Sequence, residues 1–191
     1  MKLVKIIAVS NILAFILSLI VTGVELNFYW MSLVGPNIEG LKALNLIVHP
    51  ENIGSHGQAL VTSLFLHIGV VHLVINLILI IYLGLLPIGP FRFLMVYSIS
   101  GIIGNIAAVM IENIAVLGAS GSILGVLGYG MVSLRQDREL FKDMFWITAL
   151  SVIPGLFLPG VSNGAHLGGL VTGAVLGLLF GPAKQLELTE A

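Results

Sequence analysis

The chain has 191 residues, of which 58% are hydrophobic and only 9% charged, where a soluble domain carries about 25% charge. That excludes an ordinary water-soluble fold, and it excludes intrinsic disorder, because so apolar a chain has ample surface to bury. Eight Lys and Arg against nine Asp and Glu leave a net charge of -1 and no basic stripe, which excludes a nucleic-acid partner held through phosphates; the lack of cysteine excludes disulfides, thiol catalysis, Fe–S clusters and cysteine zinc sites.

A helix needs about 20 apolar residues to cross a hydrocarbon core of about 30 Å. In chain order the runs that meet this are Ile6 to Val24, Ala59 to Leu83, Phe93 to Ile111, Val116 to Leu134, Met144 to Val161 and Ala165 to Phe180, the last two shorter or interrupted. They are continuously apolar instead of alternating, which selects helices over barrel strands. The expectation is an all-α membrane protein, a bundle of six transmembrane helices forming one domain over residues 1–191.

Lys2 and Lys5, Arg92, Arg135, Arg138 and Lys142, and Lys184 then all fall on one side, while Lys42 alone falls on the other. By the positive-inside tendency this puts both termini in the cytoplasm. The long loop Glu25–Gln58, with Phe28, Tyr29 and Trp30, is expected at the membrane interface on the opposite side. The first span also reads as a cleavable signal peptide, which would leave five spans with the loops unchanged in placement.

Polar side chains inside spans are costly and mark either function or interhelical hydrogen bonds. Leaving aside scattered hydroxyls, they are Asn11 in the first span, His67, His72 and Asn76 in the second, Asn105 in the third, and His166 at the start of the sixth. His72 and Asn76, four apart, share a helical face, whereas His67 is rotated by about 140° from His72 on a continuous helix. That spacing, with no H-E-x-x-H, argues against a metal site, and no cofactor is expected.

Ser120 lies in Gly118-Ala119-Ser120-Gly121 at the start of an apolar run. Glycines allow the tight backbone that presents a hydroxyl at a helix N-terminus, where free N–H groups stabilise an oxyanion. The fourth span continues with Gly125 and Gly128, and the sixth runs from His166 through Gly169, Gly173 and Gly177. Two such seams of small residues let helices approach closely. Close packing would bring Ser120 and His166 to one depth, a serine with a base to take its proton. Carboxylates are missing from the middle of every span, the nearest being Glu112, so a dyad is expected in place of a triad.

These motifs resemble those of the rhomboid family of intramembrane serine proteases. Thr62-Ser63-Leu64-Phe65-Leu66-His67 through Asn76 is similar to the family's H-x4-H-x3-N, Gly118 to Gly121 to its G-x-S-G, and Ala165-His166 through Gly173 to its A-H-x-x-G-x-x-x-G. The resemblance runs from about Thr62 to Gly177, with the first span and long loop matched in layout only. It implies Ser120 as nucleophile, His166 as general base, and His72, Asn76 and the Ser120 backbone N–H as oxyanion donors, with His67, Gly118 and Gly121 supporting the motif. It also implies a loop partly in the membrane and a fifth span acting as a gate, and Pro154, Gly155, Pro159 and Gly160 make that span breakable. Two positions depart from the pattern: the family's Trp-Arg before the second span is Gln58-Ala59, and its Tyr four residues after the nucleophile is Leu124. Tyr129 matches a tyrosine commonly found there.

The expected activity is endopeptidase cleavage of single-pass transmembrane substrates near the non-cytoplasmic face, in a prokaryotic inner membrane, with lipid as the other partner. Two other readings use the same residues. One is an inactive relative that binds transmembrane helices without cutting them; the other is a small transporter or channel.

Overall fold

The structure, a computed structural model, describes residues 2–27, 33–157 and 160–181. Phe28, Tyr29, Trp30, Pro159 and Lys184 lie outside the described residues. The first helix, α1 (Lys2–Thr22), buries Val4, Ile7, Ala8, Asn11, Phe15 and Ser18, residues three or four apart that form one stripe toward the neighbouring helices. Its opposite face exposes Ile6, Val9, Leu13, Leu17 and Ile20. Such a face is stable against lipid and not against water.

α1 ends at Gly23, whose φ of +88 reverses the chain at a conformation glycine adopts without strain. A short antiparallel ribbon follows, β1 (Val24–Asn27) and β2 (Leu33–Pro36), with Val24 opposite Pro36 and Asn27 opposite Leu33. The architecture is therefore helical but not purely α. Asn37 then caps the short α2 (Ile38–Ala43) by accepting the Gly40 N–H, and its amide donates to Glu25 on β1.

The second apolar run does not form one helix. It holds a short α3 (Gln58–Thr62), an irregular stretch, and α4 (Val70–Leu83), which starts after an extended Gly69. Hydropathy cannot register this break, because the irregular residues are as apolar as the helical ones. The freed backbone groups are satisfied elsewhere, as apolar surroundings demand: Ser63 N–H donates to Ala59, and the Ser63 carbonyl accepts from Gly118 N–H at 2.8 Å.

α5 (Pro90–Glu112) opens with proline at its first position and closes on Asn113 in the left-handed region, as helix ends favour. α6 (Ser120–Ser133) begins later than the run starting at Val116, because Val116 N–H pairs with the Val48 carbonyl at 2.9 Å as an isolated bridge. α7 (Arg138–Val152) begins before Met144 and stops before Val161, so Arg138 and Lys142 ride on the helix instead of a loop. Its start is set by Asp137, whose carboxylate accepts from Glu139 N–H and Leu140 N–H, a helix cap that outweighs the hydropathy boundary. A tight turn at Ile153–Leu156 precedes α8 (Asn163–Phe180).

α6 is the central helix, buried along nearly its whole length, with α5 and α8 against it; α7 buries only Met144 and is peripheral. The α6–α8 seam is built from backbone. A Cβ on Gly169 would strike the Gly121 carbonyl, one on Gly173 the Gly125 carbonyl, and one on Gly128 the Leu170 carbonyl. Among the described residues α1, α5 and α8 are long and apolar enough to span a membrane, and α4 and α6 are shorter apolar helices. The chain is an integral membrane protein.

Candidate functional site

Ser120 is the first residue of α6, so its own N–H and those of the next two residues lie among the first-turn donors that have no intrahelical acceptor. The loop that delivers it is pinned at three points. Val116 N–H bonds Val48 in the long first loop, Gly118 N–H bonds Ser63 before α4, and Gly118 adopts a φ of +122. A Cβ at 118 would also lie 2.7 Å from Cε1 and 3.2 Å from Nε2 of His72. The imidazole of α4 therefore packs edge-on against the backbone just ahead of Ser120, and only glycine leaves room for it.

Ser120, His166, His72 and Asn76, contributed by α6, α8 and α4, line one cavity of about 430 Å³. Its walls are otherwise mostly aliphatic, including Ile75, Leu79, Ile123 and Leu124, and among the described residues no Asp, Glu, Lys or Arg lines it. Ser120 and His166 share the cavity without a direct hydrogen bond, and His166 Nδ1 has no partner among the described residues. Catalytic hydrogen bonds are often long or unformed before substrate arrives. Asn76 donates one amide N–H to the His72 carbonyl at 2.8 Å, leaving its second N–H free to serve the cavity.

His67 is placed differently from the expectation. It lies in the irregular stretch ahead of α4, not on a helix, so the rotation of 140° assumed for a continuous helix does not apply. Its buried ring meets that of His72 edge to face, with centroids 5.0 Å apart. Among the described residues no group of three His, Cys, Asp or Glu converges on a point.

Several contacts that support the site carried no sequence signal. The Ser63 hydroxyl accepts the Asn105 amide at 2.8 Å while the Ser63 carbonyl holds Gly118, which ties α5 to the serine loop through a single residue. Where the family's Trp-Arg is missing, the first loop is anchored by other means. Thr62 donates its hydroxyl to the Leu46 carbonyl, Asn52 ties His49 N–H and the Ile47 carbonyl together, and Gly35 of β2 sits so close to the Ile68 carbonyl that no Cβ would fit. Leu124, at the position of the family's tyrosine, is buried and lines the cavity. Tyr129 is fully buried, its ring centroid 6.4 Å from that of Phe180. The pairings of Thr62 with Leu46, Ser63 with Asn105 and Ser63 with Gly118 join residues 16 to 55 positions apart and leave no periodic trace.

The rhomboid domain family model matches residues 55–183. RHOMBOID-like protein 6, mitochondrial, of Arabidopsis thaliana is 32% identical over 158 residues, which is 76% of this chain and 51% of that protein. Rhomboid protease GluP of Bacillus subtilis (strain 168) is 32% identical over 131 residues, 62% of this chain and 26% of GluP. Inactive RHOMBOID-like protein 8 of Arabidopsis thaliana is 34% identical over 125 residues, 59% of this chain and 35% of its own length. The chain thus spans about half or less of the length of these relatives.

Proposed function

Because the chain belongs to the rhomboid family, we propose that it is an intramembrane serine endopeptidase acting on transmembrane-helix substrates through Ser120 and His166. The observation that carries this reading is the convergence of Ser120, His166, His72 and Asn76 from three helices on one cavity. Ser120 Oγ attacks a peptide carbonyl while His166 takes its proton. The resulting oxyanion receives hydrogen bonds from the Ser120 N–H, the His72 ring N–H and the free amide N–H of Asn76. Collapse expels the amine, which takes the proton back from His166, and leaves an acyl ester on Ser120. Water then attacks the ester, His166 again carries the proton, and a carboxylic acid leaves as Ser120 is regenerated.

Depth follows from helix length. The 14 residues of α6 reach about 21 Å, short of a hydrocarbon core of about 30 Å. With the Arg135 end of α6 at the cytoplasmic surface, Ser120 lies below the opposite boundary, reached by water through the polar end of the cavity. The termini are cytoplasmic in this orientation, and substrates are single-pass proteins cut near their non-cytoplasmic ends. The buried site asks such a substrate to unwind locally, so small or helix-destabilising residues at the cut favour cleavage.

The test is labelling of the purified protein by a fluorescent fluorophosphonate. Wild type should label, and Ser120→Ala and His166→Ala should not. Leu124 in place of the family's tyrosine favours the competing reading, a non-cleaving binder of transmembrane helices; a folded wild type that fails to label beside a labelled control protease decides for it.

A further inference from the structure

Glu112 is the last residue of α5, and its carboxylate spans the gap to the start of α8. One oxygen accepts the Gly164 N–H at 2.8 Å and the other accepts the Ser162 hydroxyl. The same hydroxyl accepts the Ala165 N–H at 3.0 Å. Two of the N–H groups that a helix leaves open in its first turn are thus satisfied by one carboxylate and one hydroxyl, at the helix pole that favours negative charge. Gly164 is also pressed onto α5, for a Cβ there would lie 2.8 Å from the Ala108 Cα. His166 stands two residues further on and donates its N–H to the Ser162 carbonyl at 3.2 Å.

α8 packs along α5 and α6 through its glycines, and Glu112 adds hydrogen bonds to its first turn. The His166 ring has no hydrogen-bond partner at Nδ1 among the described residues. Its placement depends on the first turn of α8, which is held by the packing of Gly164 on α5, by the Ala165 carbonyl against Gly104 and Gly121, and by the hydrogen bonds of Glu112.

We propose that Glu112 is a positioning residue: its carboxylate clamps the first turn of α8 to the end of α5 and so sets where His166 stands relative to Ser120. This rests on the reading of His166 as the base. The role is assigned to the hydrogen-bonded bridge: a glutamine still accepts from Gly164 and, by donating to the Ser162 oxygen instead of accepting from its hydroxyl, keeps the bridge without the charge.

The experiment uses the full chain in detergent, comparing wild type, Glu112→Ala, Glu112→Gln and Ser162→Ala. Fluorophosphonate labelling is resolved into a maximal rate and a half-saturating concentration, and hydrogen exchange is followed in the peptide that covers the first turn of α8. Glu112→Ala should lower the maximal rate by about 10- to 100-fold, the cost of a misplaced reacting group, with the half-saturating concentration little changed and faster exchange in that turn. Glu112→Gln should recover most of the rate and the exchange protection. Ser162→Ala, which keeps the Gly164 contact, should fall between the two, and it decides the matter if Glu112→Ala does not fold. Wild-type rate or exchange in Glu112→Ala, or in Ser162→Ala where that variant stands in for it, overturns the proposal, as does a glutamine variant as slow as the alanine one. A folded wild type that does not label overturns the reading of His166 and the positioning role together. Faster exchange in Glu112→Ala would then identify a structural clamp only, so the two failures are told apart.

Discussion

Gly118 carries two constraints at once. Its φ of +122 lies where L side chains are strained, and the His72 ring occupies the space a Cβ would need. Gly118→Ala should therefore cost about 1–3 kcal/mol of stability from the backbone alone and abolish fluorophosphonate labelling in the fraction that stays folded, because relief requires either the serine loop or His72 to move. Gly121, two positions before Ile123, is less constrained, since a Cβ there would meet the Ala165 carbonyl at 3.2 Å. The G-x-S-G spacing makes both glycines visible as candidates; which of them is indispensable depends on the neighbour each one faces. Ser63 is the opposite case, a residue with no motif of its own. Removing its hydroxyl in Ser63→Ala leaves the Asn105 amide unpaired but keeps the carbonyl that holds Gly118. Interhelical hydrogen bonds in membranes contribute about 0.6–1.7 kcal/mol, so denaturation of this variant in mixed micelles should show a loss of that size with labelling retained.

The α6–α8 pair shows how helices join without a hydrophobic driving force between them. In lipid, apolar side chains gain little by meeting each other, so close backbone approach and dispersion decide the pairing. The glycines at 121, 125, 128, 169, 173 and 177 recur at three- and four-residue spacing, and that periodicity makes the seam readable in the sequence. Gly173→Ala would place a methyl against the Gly125 carbonyl, which cannot move without breaking α6. We expect it to destabilise the bundle by about 1–3 kcal/mol, the usual cost of overpacking, measured as a lower midpoint in thermal unfolding. Gly89→Ala, where a Cβ would meet open space, is the control and should leave the midpoint near wild type. Element boundaries were less legible. The break between α3 and α4 and the early start of α7 are set by single hydrogen bonds and a capping Asp137, which an average over 20 residues smooths away.

Taken together, the helices turn apolar side chains outward on every side: Leu13 and Ile20 on α1, Met110 on α5, Trp146 and Leu150 on α7, Leu178 on α8. Only a bilayer accommodates this surface. The orientation proposed from the Lys and Arg distribution is open to a direct test, because the native chain has no cysteine and single cysteines can be introduced on a clean background. Ser55→Cys, in the long first loop, should react with a membrane-impermeant maleimide from outside intact cells or spheroplasts. Gln136→Cys, between α6 and α7, should react only after the membrane is opened, and the reverse pattern would invert the topology.

Composition, the length of apolar runs and the order of three short motifs were enough to place this chain in a membrane, as a helical member of its family, because hydropathy and motif spacing are local properties of the polypeptide. The glycine seams and the motifs already pointed to Ser120 beside His166, with His72 and Asn76 as partners; the shape of the cavity they share, the packing of His67 on His72, the hold of Ser63 on Gly118 and the reach of Glu112 to α8 are of another kind. Each joins groups on different elements, through a carbonyl, a hydroxyl or a ring edge whose position depends on how the helices pack, and no spacing along the chain encodes it.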